Sequence, residues 1–133
     1  MKPVFVDTSY YVALLSQADA YHAKAVEVSR TLRRPVVVTE FVLLELGNVL
    51  SRTDARQLFV SILRQLRGDP HVLIIAASPE LFERGCDLYA RRSDKDWSLT
   101  DCISFVVMEE RALSDALTTD HHFEQAGFQI LLK

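Results

Sequence analysis

The sequence predicts an α/β fold, a parallel sheet with helices on both faces. Three observations carry this. Short unbroken apolar runs, Val4-Phe5-Val6, Val36-Val37-Val38 and Val72-Leu73-Ile74-Ile75, read as strands buried on both faces. Stretches of helical length and periodicity separate them, with no repeat, low-complexity segment or linker between. The chain has 133 residues, 49% hydrophobic and 25% charged, which fits a single domain spanning residues 1–133 with a core of its own.

Taken in order, Val4–Val6 is the first strand. Asp19 is placed to cap a helix running to about Arg34, with Ala20, Ala23, Val26 and Leu32 inward, and Pro35 stops it. Val36–Val38 is the second strand. Thr39 opens a helix to about Arg52, and Thr53 is expected to cap another to about Arg67. Gly68-Asp69-Pro70 is a turn into the third strand, expected to be buried. Ser78-Pro79-Glu80 starts a helix to about Arg92, with Pro in its first turn. A polar loop from Ser93 to Trp97 leads to Ser98-x-x-Asp101, which reads as a capping box for a helix to about Ala112. Ala116-Leu117-Thr118 is a fourth strand, Asp120 caps a short helix, and Phe128–Leu132 is a fifth strand.

Composition narrows the class. Cys86 and Cys102 are the two cysteines and show no Cys-x-x-Cys spacing, so neither a zinc module nor a disulfide framework is implied. No apolar run approaches the roughly 18–20 residues of a membrane span, and Asp7 interrupts the apolar N-terminus, against a signal peptide. A cytoplasmic protein with no membrane partner is the expectation. The net charge of −3 argues against nucleic acid only as an average. With four of the 18 acids set aside in one pocket, 14 face 15 bases, and Arg clusters at Arg30, Arg33 and Arg34, at Arg52 and Arg56, at Arg64 and Arg67, and at Arg91 and Arg92.

Those four acids are the candidate site. Asp7 ends a buried strand, where a lone carboxylate is costly, and is followed by Thr8 and Ser9. Glu45 lies in a helix apolar nearly all round, on a narrow polar stripe shared with Asn48. Asp101 is at a helix start, where it also serves the capping box, and Asp120 follows the fourth strand. Each has a purely structural role open to it as a cap or a solvent-facing group. Together, three of them fall on the carboxyl edge of a parallel sheet, where such sheets bind ligands. Converging carboxylates repel unless a cation joins them, and oxygen donors suit Mg²⁺ or Mn²⁺, one or two ions. Two such ions support phosphodiester hydrolysis by a metal-activated water. His121 and His122 read as a solvated first-turn pair, and His22 and His71 carry no usable context; Asp94 and Asp96 read as loop carboxylates, Asp96 a candidate outer member of the site.

Val4-Phe5-Val6-Asp7-Thr8-Ser9, Glu45 with Asn48 on an apolar helix, Leu99-Thr100-Asp101, and Leu117-Thr118-Thr119-Asp120-x-x-Phe123 together resemble the PIN-domain family, and more narrowly the VapC-type toxins of bacterial toxin–antitoxin pairs. The resemblance spans the chain. It implies a three-layer α/β/α fold with strand order 3-2-1-4-5 and Mg²⁺- or Mn²⁺-dependent endoribonuclease activity. It also implies that Asp7, Asp101, Glu45 and Asp120 are the catalytic metal ligands, with Thr8, Ser9 and Thr119 as hydrogen-bonding groups behind them. An RNA substrate, a homodimer and a cognate antitoxin are the expected partners. The alternative is a catalytically silent PIN-fold module that binds RNA or protein. Phosphatase and receiver-domain spacings fail, because Ser9 stands where the first needs a second Asp and Ile75 runs into Ala76-Ala77 where the second needs one.

Overall fold

The computed structural model describes all 133 residues. Its elements are β1 (Val4–Val6), α1 (Thr8–Leu15), α2 (His22–Thr31), β2 (Val36–Thr39), α3 (Glu40–Val49), α4 (Arg56–Gly68), β3 (Val72–Ile75), α5 (Pro79–Arg91), α6 (Leu99–Glu110), β4 (Asp115–Leu117), α7 (His122–Gln125) and β5 (Gln129–Ile130). The five strands form one parallel sheet in the order β3-β2-β1-β4-β5. Right-handed crossovers then put α1 to α4 on one face and α5 to α7 on the other, and the packing within each face agrees: α1 lies against α2 and α3, α3 against α4, α5 against α6, α6 against α7, while α3 and α6 also touch each other. This is the expected three-layer α/β/α arrangement. No helix is long and apolar enough to cross a membrane.

The chain moves outward from β1 through β2 to β3, then returns across the sheet to β4 on the other side of β1. The direction of winding therefore reverses between β1 and β4, and a crevice opens beyond their carboxyl ends. Val4, Phe5 and Val6 are almost wholly buried, as are Ala116 and Leu117 opposite them, so the two strands flanking the crevice are the most rigidly packed part of the sheet.

Several elements depart from the sequence expectation. The segment after Asp7 is a full helix, α1, in a stretch of Thr, Ser, Tyr and Val with weak helix propensity. Burial of Tyr10, Tyr11 and Ala13 in the core decides it. Asp19 does not cap α2. Its Oδ1 accepts from the N–H of Tyr21 at 2.8 Å and its carbonyl from that of His22 at 3.1 Å, a turn that delays the helix to His22. The inward stripe of α2 is Ala25, Val28 and half-buried Leu32, while Ala20 and Ala23 are exposed. Thr53 does not cap α4 either, because overlapping turns onto the Arg52 carbonyl consume that segment and the helix starts at Arg56.

One edge of the sheet is more exposed than its apolar run predicts. β3 pairs only with β2, and Leu73 is 44% exposed. The apolar excess of α3 likewise points partly outward, with Leu44 and Val49 exposed. The fourth strand stops at Leu117 and the fifth is Gln129–Ile130, shorter than expected. Cys86 and Cys102 are free thiols, Cys102 buried.

The face carrying α5 and α6 is closed by one small residue. Gly85 is buried, and a Cβ there would collide with the Ile103 side chain and stand 3.3 Å from its Cα. Gly85→Ala is expected to destabilise the fold by about 1–3 kcal/mol through overpacking, outweighing the gain of roughly 1 kcal/mol in helix propensity. Urea unfolding measures the sign.

Candidate metal centre

The crevice is lined by carboxylates that four elements deliver. Asp7 follows β1 directly, and its N–H donates to the Leu117 carbonyl at 3.1 Å, which carries the β1–β4 pairing one step past the strands. Because Val6 pairs with Leu117, Asp7 falls opposite Thr118. Asp7 is 5% exposed, and its Oδ2 accepts from Ser9 Oγ and from Thr118 Oγ1, both at 2.8 Å. The two hydroxyls lie 3.0 Å apart, but each has one proton and both protons go to the carboxylate. Their free lone pairs accept in turn: Ser9 Oγ from the Thr119 N–H and Thr118 Oγ1 from the Asp120 N–H, each at 3.0 Å. A single buried network thus fixes the ends of β1 and β4 and the start of the Asp120 loop.

Asp101 is 7% exposed at the third position of α6. The capping box holds it: its N–H donates to Ser98 Oγ at 3.0 Å, and its Oδ2 accepts from the Ser98 N–H at 3.3 Å. Asp120 is half-buried, and its Oδ1 accepts from the His122 N–H at 2.9 Å. His122 Nδ1 stands 3.2 Å from Asp101 Oδ2 and 3.2 Å from Asp120 Oδ1. Glu45 is half-buried on α3, and its charge is felt at Asp7.

The electrostatics link all four acids. Burial, above all, pushes the Asp7 carboxyl up to about 6; the Thr118 and Ser9 hydroxyls pull it down, and the charges of Asp101 and Glu45 push it up again. Asp101 is also raised, first by burial and then by the charge of Asp120, against the opposing pull of Ser98 and His122. Lys and Arg offer no relief. Their ion pairs lie elsewhere, at Glu27, Asp115, Asp54, Glu110, Asp94 and Glu124. An acidic crevice with oxygen donors and no Lys or Arg counter-ion fits a hard divalent cation.

The expected supporting residues sort differently. Ser9 stands behind Asp7 as anticipated. Thr8 Oγ1 instead points to the Val42 carbonyl at 3.5 Å, toward α3. Thr119 contributes its backbone N–H, and the hydroxyl that serves the site is that of Thr118, a residue not singled out in the sequence. Only strand pairing reveals it, since the register that sets Thr118 beside Asp7 joins positions 111 apart. Asn48 is exposed. His121 is solvated as expected, but His122 is not: its side chain is 20% exposed and set between two acids. Asp94 pairs with Arg92 on the surface and Asp96 is exposed.

Comparison with known proteins agrees with this fold. A family model described as the PIN domain matches residues 4–129. The 23S rRNA-specific endonuclease VapC20 of Mycobacterium tuberculosis, in two strains, is 28% identical over 125 residues, covering 94% of this chain and 95% of the relative. The crystal structure of Mycobacterium tuberculosis VapC20, described as a Sarcin-Ricin loop cleaving toxin, superposes with a TM-score of 0.84 at 27% identity, over 94% of this chain and 95% of that one. VapBC2 from Rickettsia felis, bound to a DNA fragment from its promoter, superposes with a TM-score of 0.64 at 14% identity over 96% of each chain, a likeness of fold.

Two outcomes follow from the network around Asp7. A carboxyl raised in the folded state stabilises the fold below its unfolded pKa of 3.8, and that contribution is lost as pH rises through about 6. The metal-free protein should therefore lose up to ~3 kcal/mol between those pH values from this group, and Asp7→Asn, measured by urea unfolding at pH 7 in chelator, should be more stable than the parent. Thr118→Val strands the Asp120 N–H and one Asp7 lone pair and should cost about 1–3 kcal/mol, with Thr118→Ser restoring most of it.

Proposed function

The chain belongs to the PIN-domain family, and on that footing we propose that it is a VapC-type toxin, an endoribonuclease that hydrolyses RNA phosphodiester bonds. Residues 1–133 serve as one domain, around one continuous core. What supports the reading is the electrostatic linkage of the four acids: Asp7 feels the charges of Asp101 and Glu45, and Asp101 feels that of Asp120, with no Lys or Arg paired to any of them. The likeness to VapC20 over almost the whole of both chains supports the substrate class, and 23S rRNA is the substrate proposed.

These four carboxylates would hold one or two Mg²⁺ or Mn²⁺ ions. When bound, such ions neutralise the acids, activate a water for attack and offset charge on the leaving oxygen. The chain's own contribution is orientation. Ser9 and Thr118 hold Oδ2 of Asp7, so its Oδ1 is the oxygen left for a ligand. The capping box fixes Asp101, and the backbone of His122 fixes Asp120. Rigid first-turn placement keeps these acids oriented before substrate arrives, so little reorganisation accompanies reaction.

A homodimer and a cognate antitoxin complete the proposal, in a cytoplasmic setting. The exposed apolar side chains of Leu44 and Val49 on α3 and Leu58 and Val60 on α4 support a face that a second copy covers.

The test is cleavage of 23S rRNA by the purified chain. Wild type should cut with Mg²⁺ or Mn²⁺ and stop in EDTA. Asp7→Asn and Asp101→Asn should each lower the rate about 100-fold or more, the equivalent of ~3 kcal/mol of lost charge stabilisation. Cleavage that survives both chelator and Asp7→Asn would refute the metal mechanism. RNA binding without cleavage under every metal condition would point to the silent module.

A further inference from the structure

We propose that the outer face of α4 is a docking surface for the phosphate backbone of RNA, formed by Arg56, Arg64 and Arg67. This surface lies outside the acidic crevice, and its assignment rests on the reading of the substrate as RNA.

Two arginine clusters of the sequence, Arg52 with Arg56 and Arg64 with Arg67, fall at the two ends of this one helix. Arg56, Val60, Arg64 and Arg67 recur at intervals of four, four and three residues, so they share a face of α4. All four are exposed. A separate stripe, Phe59, Ile62, Leu63 and Leu66, packs against the core. Anchored there, the helix displays the three guanidinium groups over roughly 16 Å of its axis.

The charge on α4 is one-sided. It carries three arginines and no Asp or Glu. The other helices with Lys or Arg set acids among them, Glu27 on α2 and Glu80, Glu83 and Asp87 on α5. In a chain of net charge −3, this helix is wholly basic. None of its arginines forms an ion pair; the paired Lys and Arg side chains are Lys24, Arg34, Arg52, Arg84, Arg92 and Lys133. Helix stability does not account for the pattern. Arg56 stands in the first turn, where the helix dipole disfavours a cation, and Arg64 and Arg67 are like charges one turn apart.

The chemistry of the face selects its partner. The guanidinium fork matches phosphate, and the exposed Gln57 and Ser61 beside it are donors of the kind that bind phosphate and sugar oxygens. The acidic crevice repels a polyanion, so attraction for RNA has to come from elsewhere on the chain. α4 is well placed to supply it. A Cβ at Gly47 would stand 3.3 Å from the Phe59 ring, so α4 packs closely on α3, the helix that carries Glu45. Axes of packed helices lie about 8–10 Å apart, which keeps a strand docked on α4 beside an element of the crevice. Like-charged faces repel across a two-fold axis, so a second copy over Leu44 and Val49 leaves this face at the margin of the contact.

The experiment is binding of a fluorescent RNA hairpin to the full chain, read by anisotropy in EDTA over a range of salt. Replacing Arg56, Arg64 and Arg67 together by Gln should lower the slope of log K against log salt by about 2, which is about 100-fold in relative affinity for each tenfold drop in salt. The single variants Arg56→Gln, Arg64→Gln and Arg67→Gln should each lower it by about 0.7–0.9, with less perturbation of the helix. A charge-matched control replaces Arg30, Arg91 and Arg111, all exposed and outside any ion pair, and should change the slope little. An equal fall in the control makes the effect one of net charge and overturns the inference, as does an unchanged slope in the α4 variants. Polyglutamate bound as tightly as the hairpin, with the same dependence on α4, assigns the face to an acidic peptide and also overturns it. Arginine-dependent binding without cleavage on adding metal leaves the inference standing and removes the nuclease reading. Cleavage with metal but no dependence of binding on α4 does the reverse.

Discussion

The hydrogen bonds that Thr118 and Ser9 donate to Asp7 tie together the ends of β1 and β4, where the two halves of the sheet meet. The sheet is wound outward from β1 in both directions, and the ends of β1 and β4 are where those halves meet. Backbone pairing there stops with the Asp7 N–H on the Leu117 carbonyl. Beyond it, the join is made by side chains: a buried carboxylate, two hydroxyls, and the N–H groups of Thr119 and Asp120. An unpartnered carboxylate at 5% exposure would be severely penalised. Two donors to one oxygen reduce that penalty without cancelling it, as the upward displacement of the Asp7 carboxyl records.

That residual strain is confined to the crevice. The neighbouring acids add repulsion, and the Arg and Lys side chains that could relieve it are engaged on the periphery, as in Arg34 with Asp115 and Arg84 with Glu110. A fold selected for stability alone would put a base among these acids. Their concentration at the switch point, on first-turn and strand-end positions held by capping and by buried hydroxyls, is the arrangement expected of a site that gains its missing positive charge from outside the chain. The helices contribute to this, Asp101 lying on α6 and Glu45, whose charge Asp7 feels, on α3. Gly85 lets α5 lie close enough to Ile103 to hold α6 in place.

How much of this was legible in the chain depends on the range of the interaction responsible. The capping box of Ser98 and Asp101, the Ser78 cap with Pro79, and Thr39 ahead of α3 are local, and each formed as read. Asp19 and Thr53 carry the same kind of signal but lost to competing turns. The α1 helix had no local signal, since Thr8 to Val12 favour it weakly and only the burial of its tyrosines selects it. Of the proposed site, the four acids were singled out by their awkward positions and by the family pattern, while Thr118, which hydrogen-bonds Asp7, and the placing of His122 beside Asp101 and Asp120 were not.

By itself, the sequence determined the class of the fold and marked the acids as candidates, because buried apolar runs and carboxylates at their ends are properties of single residues and short windows. The tertiary structure decided which hydroxyl supports Asp7, which of two adjacent histidines enters the crevice, and which faces of α2 and α3 are buried. Each of these turns on register or packing between segments distant in sequence, as with Thr118 on Asp7 or His122 on Asp101. No local pattern encodes such pairings, since their free energy exists only once the sheet has closed.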